Sequence, residues 1–441
     1  MWIDSSPTTH FATLSQSTRR IDLNSMDTFK NLINLIDWSP IHSLCDQNDP
    51  SAAYEVFNSK IRNAYDSAFP LVTSRNKASK TPKQPWMTLG LLRSCHTKAK
   101  LHTRFIKHPT PQNKLKFITY RNKFKSLCRK AEKDYYTMQF AKFKDDLKQT
   151  WQTIKTILRD KPPDSNISQL TINGLKITDS QSIAEQFNKY FTGVAQDLVN
   201  KIPPSNIPSS TFLNPPNMDS FALIPTSPSE IIAISRTLKQ THSTGLDDIK
   251  STLISPVIEL IADPLSEIFN CSLKTGVVPV LLKTAKVIPI YKQGHKDDVS
   301  NYRPISILPY FSKILEKLMY NRLYSYIEKL NILSPFQHGF RHGHSTAMSL
   351  INLQDSISTA IDNKEFSLGV FIDITKAFDT VNHSILLYKM ERLGVRGIAL
   401  SWIRSYLSER YQQVYCNGSL SSPRIIKFGV PQGSILSPLL F

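Results

Sequence analysis

Eleven of the 14 glycines lie at or after Gly245, and this uneven distribution divides the chain. Glycine serves where the backbone must turn sharply or let another group approach closely. From about residue 236, runs of strand length alternate with helical periodicity, which predicts an α+β domain. Upstream, the apolar spacing is mostly helical. Residues 86–158 carry Phe117, Tyr120, Phe124, Leu127, Ala131, Tyr135, Met138 and Leu147 at three- and four-residue steps, and these are expected to form a core stripe.

Charge follows a second division. Residues 71–160 hold 22 Lys and Arg against 5 Asp and Glu, a local net of +17 within a total of +19. A short basic run is commonly a solvated helix face. An excess held over ninety residues and interleaved with aromatics predicts a surface for nucleic-acid phosphates, with Arg121, Lys123, Lys125, Arg129 and Lys130 as its contacts. Arg75 to Gln84 is a basic linker with no apolar anchor.

The five cysteines show no Cys-x-x-Cys spacing, which argues against a zinc site or a disulfide framework. The chain has no apolar leader segment and no apolar run of membrane length. An intracellular protein of nucleus or cytoplasm is expected, without membrane association or secretion.

Local signals refine this division. Thr171-Ile-Asn-Gly-Leu-Lys-Ile reads as a hairpin turning at Asn173-Gly174. A helix follows with Ile183, Phe187, Tyr190, Phe191, Val194 and Leu198 on one side. Residues 202–228 are rich in Pro and Ser and read as a linker, closed by a capping box of Ser227, Pro228 and Glu230. The expected domains are an N-terminal segment 1–70, a basic helical region 71–160, an extension with linker 161–235, and a catalytic-type domain 236–441.

Three segments carry chemistry. In Phe366-Ser-Leu-Gly-Val-Phe-Ile-Asp373-Ile-Thr-Lys-Ala-Phe378-Asp379, the apolar run reads as a buried strand with Asp373 at its end. A carboxylate on a rigid strand can hold metal ions for phosphoryl transfer. Phe378 offers a flat wall that can exclude a 2′-hydroxyl. Gly429-Val-Pro-Gln-Gly-Ser-Ile-Leu-Ser-Pro438 brackets Pro431 and Gln432 between glycines, which suits backbone passing close to a base pair. Lys286-Val-Ile-Pro-Ile-Tyr-Lys292 and Asn301-Tyr-Arg303-Pro-Ile-Ser306 read as two strands, each bringing a cation that could meet a triphosphate. Each segment alone is also compatible with a turn, a cap or surface charge.

Together and in this order, these segments resemble reverse transcriptases of LINE-type (non-LTR) retrotransposons in the jockey and CR1-like range. Asp373 to Asp379 resembles the family's Asp-x-x-x-Ala-Phe-Asp block, and Gly429 to Pro438 its Gly-Val-Pro-Gln-Gly-Ser block. Gly245-Leu-Asp247-Asp248-Ile249 resembles the Gly-x-Asp-x-Ile block, and Phe336-Gln337-His-Gly339-Phe340-Arg341 the block lying along the template. Group II intron maturases share the Pro-Gln-Gly core, but the wording around Asp379 fits the LINE side better.

The resemblance implies a partial right-hand polymerase, fingers and incomplete palm, doing RNA-directed DNA synthesis with two Mg2+ ions. It implies Asp373 as catalytic metal ligand, with Lys292, Arg303, Phe378, Gln432 and Gly433 on the deoxynucleoside triphosphate. Gln337, Gly339, Phe340, Arg341 and Pro431 would lie along the RNA template, opposite a DNA primer. The family's next block, an aromatic-Ala-Asp-Asp hairpin, does not occur within the 441 residues. Asp373 alone cannot position two ions, so the isolated chain is expected to be inactive, with apolar surface exposed around Ile435–Phe441. The alternatives are a non-catalytic RNA-binding fragment or the product of a decayed element.

Overall fold

The computed structural model describes residues 16–74, 84–158, 167–203, 207–208, 211, 213, 215–241 and 243–441. The basic linker 75–83 and residues 1–15 lie outside them. The chain forms two compact units, one of Met1–Gln16 with Thr73–Ser165, the other of Ser17–Val72 with Asn166–Phe441. Residues 17–70 of the N-terminal segment expected over 1–70 therefore share a unit with residues 166–441. No described helix is long and apolar enough to cross a membrane.

The first unit is built on a helical hairpin. Thr88 caps Leu89–Lys107 and Thr110, followed by Pro111, caps the 32-residue helix Pro111–Lys142. The seam runs antiparallel: Phe105 and His102 meet Phe117, and the Lys98 ammonium lies 5.0 Å over the Phe124 ring. Here the expected core stripe is corrected. Leu127, Met138 and Leu147 are exposed, and no residue of Pro111–Lys142 is buried. Two helices share a single seam, so a side chain in it still faces water on its flanks.

In the second unit, three N-terminal helices (Leu23–Asn34, Ser39–Asp46, Pro50–Ala68) pack around the apolar helix Ile258–Thr275. Phe57 meets Phe311 edge to face, with ring centroids 5.2 Å apart. Arg19 ties this region together through Asp66 at 2.8 Å and the Phe69 carbonyl, with its guanidinium 4.7 Å over Tyr65.

Strands β1 (Gln16–Arg19) and β2 (Leu71–Ser74) form a small ribbon. Strands β3 (Leu170–Ile172) and β4 (Leu175–Ile177) form the expected hairpin. Asn173 and Gly174 both have positive φ, 51° and 81°, the conformation a two-residue turn of this twist demands.

The main sheet holds β5 (Ala285–Tyr291), β6 (Tyr302–Ile307), β7 (Arg410–Cys416), β8 (Ser419–Leu420) and β9 (Arg424–Ile426). Its order is β6-β5-β7-β8, with β9 also on β7. β5 runs antiparallel to β6 and parallel to β7. Helix Ser180–Val199 covers this sheet with Ile183 and Phe187, both fully buried, against Val287 and Val414.

Two further expectations change. Ser227 does cap Pro228–Thr237 through the Glu230 amide, but the Glu230 carboxylate turns to Arg322 and Thr226 instead of closing the box. The stretch read as linker is anchored near its end, where the Phe221 amide donates to Gly394 O at 2.9 Å and the ring is buried.

The largest correction concerns Phe366–Ile374. The segment is neither a strand nor buried: Phe366, Leu368, Phe371 and Ile372 are almost fully exposed. An apolar run becomes a central strand only when neighbours satisfy both its edges and cover both its faces. Among the described residues no strand pairs with it.

Candidate active site

The Gly429–Pro438 loop is fixed against two other blocks by backbone contacts. The Gly429 amide donates to Val381 O and the Val430 amide to Phe378 O, both at 2.8 Å. Gly429 has φ 81°, and a Cβ there would sit 2.7 Å from the carbonyl oxygens of Phe378 and Asp379, so only glycine fits. His383 Nε2 donates to Gly429 O at 2.8 Å. A carbonyl accepts only, so the proton resides on Nε2; burial also lowers the imidazole pKa and favours the neutral ring. Farther along, Gln432 O accepts from the Ser306 amide of β6 at 2.7 Å.

Asp379 lies at the centre of this arrangement. Gln432 Nε2 donates to its carboxylate at 3.1 and 3.3 Å. Burial pushes the Asp379 carboxyl up to about 6, against the opposing pull of Lys376 and the Gln432 hydrogen bond.

A cationic group stands beside it. Lys292 follows β5, its amide donating to Asn301 O, and Arg303 on β6 is paired in register with Ile290. Neither side chain forms an ion pair among the described residues. Lys376, in the left-handed conformation with φ 52°, reaches the Ser300 carbonyl at 3.4 Å and lies over the Tyr190 ring. Burial lowers its pKa, Asp379 opposes this, and Lys292 and Arg303 add to it, so the three cations share one neighbourhood. Lys376 was not singled out from the sequence, where it reads as one more polar residue between Asp373 and Asp379.

Phe378 stacks on Phe441 at 4.9 Å and meets Phe340 edge to face at 5.9 Å. Gln337, Gly339 and Phe340 line a cavity of about 480 Å³ together with Leu439 and Phe441. Pro431 is buried, and Gly433 has φ 115°, with room for a Cβ closed off by Ser306 O at 2.6 Å. Arg341 is engaged within the chain, forking onto Glu328 at 3.1 and 3.4 Å and onto Ser334 O.

Asp373 is exposed and outside any regular element. No group of three or more His, Cys, Asp or Glu among the described residues is arranged to hold a metal ion. The described residues therefore do not fit a two-ion site. In the other unit, Lys123, Lys125, Arg129 and Lys130 are exposed, and Arg121 reaches Asn122 and the Phe117 ring.

Three blocks distant in sequence thus converge on one loop, with a carboxylate, a cationic cluster and an aromatic wall. Residues 290–441 match the family described as reverse transcriptase (RNA-dependent DNA polymerase). The chain is 35% identical over 233 residues to a probable RNA-directed DNA polymerase from transposon BS of Drosophila melanogaster, covering 52% of this chain and 25% of the relative. It is 42% identical over 178 residues to the RNA-directed DNA polymerase from mobile element jockey of the same species, covering 40% and 19%. A 28% identity over 320 residues, 72% of this chain and 29% of the relative, links it to a putative 115 kDa protein in type-1 retrotransposable element R1DM. The chain spans about a quarter or less of the first two relatives' length. These matches bear out the resemblance to LINE-type reverse transcriptases. That family generally uses divalent metal ions.

Proposed function

We propose that the chain contributes fingers and part of the palm to an RNA-directed DNA polymerase of a LINE-type retrotransposon. One observation carries this reading: the Gly429–Pro438 loop is joined by backbone hydrogen bonds to Phe378, Val381 and Ser306, so the nucleotide-binding blocks meet in space. Lys292 and Arg303, which form no ion pair among the described residues, supply cations for a triphosphate. Phe378 supplies the wall beside the sugar, and Gln432 and Gly433 the backbone that faces the base pair. Gln337, Gly339, Phe340 and Pro431 would follow the template. Arg341 would lie along the template with them, and its guanidinium also braces this block by forking onto Glu328 and donating to Ser334 O. Asp373 remains the proposed metal-binding carboxylate.

The test is primer extension on an RNA template with Mg2+, comparing the 441-residue chain with Asp373→Asn. No incorporation by either chain is the result expected of an incomplete metal site, whereas incorporation abolished by the substitution supports the polymerase reading for this chain itself. Incorporation that persists removes Asp373 from its role.

A second reading, non-catalytic RNA binding, is favoured by the exposed cations of Pro111–Lys142. It predicts RNA retention on filters in the absence of any extension, with affinity that falls steeply as salt rises.

A further inference from the structure

Glu316 is a carboxylate buried where an apolar residue would be expected. It lies on helix Tyr310–Lys329, is 1% exposed, and is surrounded by Phe311, Leu315 and Met319 of the core. Burying a carboxylate is costly unless every oxygen finds a strong donor. Here both do. Oε1 accepts from the Tyr406 hydroxyl at 2.6 Å and Oε2 from the Ile435 amide at 2.8 Å. These donors lie 90 and 119 residues away in sequence.

The surroundings reinforce the arrangement. Tyr406 OH is also 3.3 Å from Ser434 Oγ, which accepts from the Ser437 amide at 3.0 Å. Arg410, also 1% exposed, donates to Tyr406 O at 3.0 Å, and its guanidinium lies 4.6 Å from the Tyr406 ring. Burial raises the Glu316 carboxyl pKa, opposed by the Tyr406 and Ile435 hydrogen bonds and then by the positive charges of Arg410 and Lys313.

The Gly429–Ser437 loop is therefore fastened at three places. Gly429 and Val430 fasten its start to Val381 and Phe378, Gln432 fastens its middle to Ser306, and Ile435 fastens its end to Glu316. The last fastening is made by a buried carboxylate that also accepts from the Tyr406 hydroxyl.

We infer that Glu316 is a positioning residue that holds the Gly429–Ser437 loop in register with Asp379 and the β5–β6 strands, by accepting from the Ile435 amide and the Tyr406 hydroxyl. Its expected effect on nucleotide affinity rests on the polymerase reading above; its effect on the loop does not.

Glu316→Gln tests this with little change in volume. A carboxamide offers one oxygen, so one of the two donors loses its acceptor and faces an N–H instead. Loss of a hydrogen bond to a charged group is worth roughly 10- to 100-fold in a local equilibrium. Amides of residues 432–437 should exchange with deuterium at least about tenfold faster, while those of Ile258–Thr275 keep wild-type protection. Binding of Mg-dATP should weaken several-fold, and Glu316→Asp, which keeps the charge, should recover part of both losses.

Unchanged exchange at 432–437, or a loss of protection no greater there than in Ile258–Thr275, would overturn the inference, since Glu316 would then be only a core residue. Faster loop exchange with undiminished dATP affinity, where Arg303→Gln still weakens binding, would equally overturn it. If neither the wild type nor any variant binds dATP, the nucleotide reading fails on its own, and the exchange pattern still decides whether Glu316 holds the loop.

Discussion

At the scale of single residues, the site is held by groups that the fold places against their own preference. Asp379 and Asp247 are both buried carboxyls pushed up to about 6, with burial the leading cause in each. Asp247 Oδ2 has no hydrogen-bond partner among the described residues. A carboxyl with a raised folded pKa adds stability while it is protonated. That contribution is complete below the unfolded value near 3.8 and is lost as pH rises through about 6. Asp379→Asn should therefore melt close to wild type at pH 4 and above it at pH 7.5, a gap that thermal denaturation at the two pH values would reveal. A gap equal at both would mean the carboxylate is not penalised by burial. Glycines separate in the same way. Gly429→Ala forces a Cβ onto two carbonyl oxygens at 2.7 Å, whereas Gly174→Ala meets nothing within 4 Å at the same φ of 81°. Both suffer the backbone strain of about 1–3 kcal/mol. Only Gly429→Ala adds a clash, so urea denaturation should place it clearly below Gly174→Ala.

At the scale of elements, legibility in the sequence depended on whether the deciding contacts were local. The Asn173-Gly174 turn is specified by residues that tolerate positive φ, and the helix Ser180–Val199 by its own period, so both were readable. The β5–β6 pair was readable too, because its two strands are close in sequence. The pairing of β5 with β7, separated by more than a hundred residues, left no local signal. The roles of Lys376, Glu316 and His383 were hidden for the same reason, since their partners lie on remote segments. Phe366–Ile374 is the converse case. Its composition is that of a strand, yet composition does not supply neighbours. With Phe371 exposed, Phe371→Ser should change the stability of this chain by less than about 0.5 kcal/mol, against roughly 3–5 kcal/mol for a truncated core phenylalanine such as Phe269. Chemical denaturation of the two variants makes the comparison, and a large loss at Phe371 would show that the segment is buried in solution.

At the scale of the whole molecule, the charge is carried by one unit and the candidate nucleotide site by the other. Residues 71–160 contribute +17 of the net +19, and the hairpin that bears them has almost no core to spend those side chains on. Exposed cations without acidic partners gain little from folding. Their free energy is realised only when a polyanion displaces its counterions onto them. Substituting Arg121, Lys123, Arg129 and Lys130 together by Gln should thus leave the fold intact and lower RNA affinity. If all four meet phosphates of single-stranded RNA, the slope of log affinity against log salt should become shallower by about 3, since each phosphate contact contributes roughly 0.7. Filter binding between 50 and 300 mM salt gives that slope, with salt concentrations chosen to bracket the physiological range on the scale where counterion release dominates (about 0.05–0.2 M). A slope unchanged by the four substitutions would put the RNA elsewhere on the chain, and the basic hairpin would then be a solvated surface whose charge keeps the two helices soluble rather than bound.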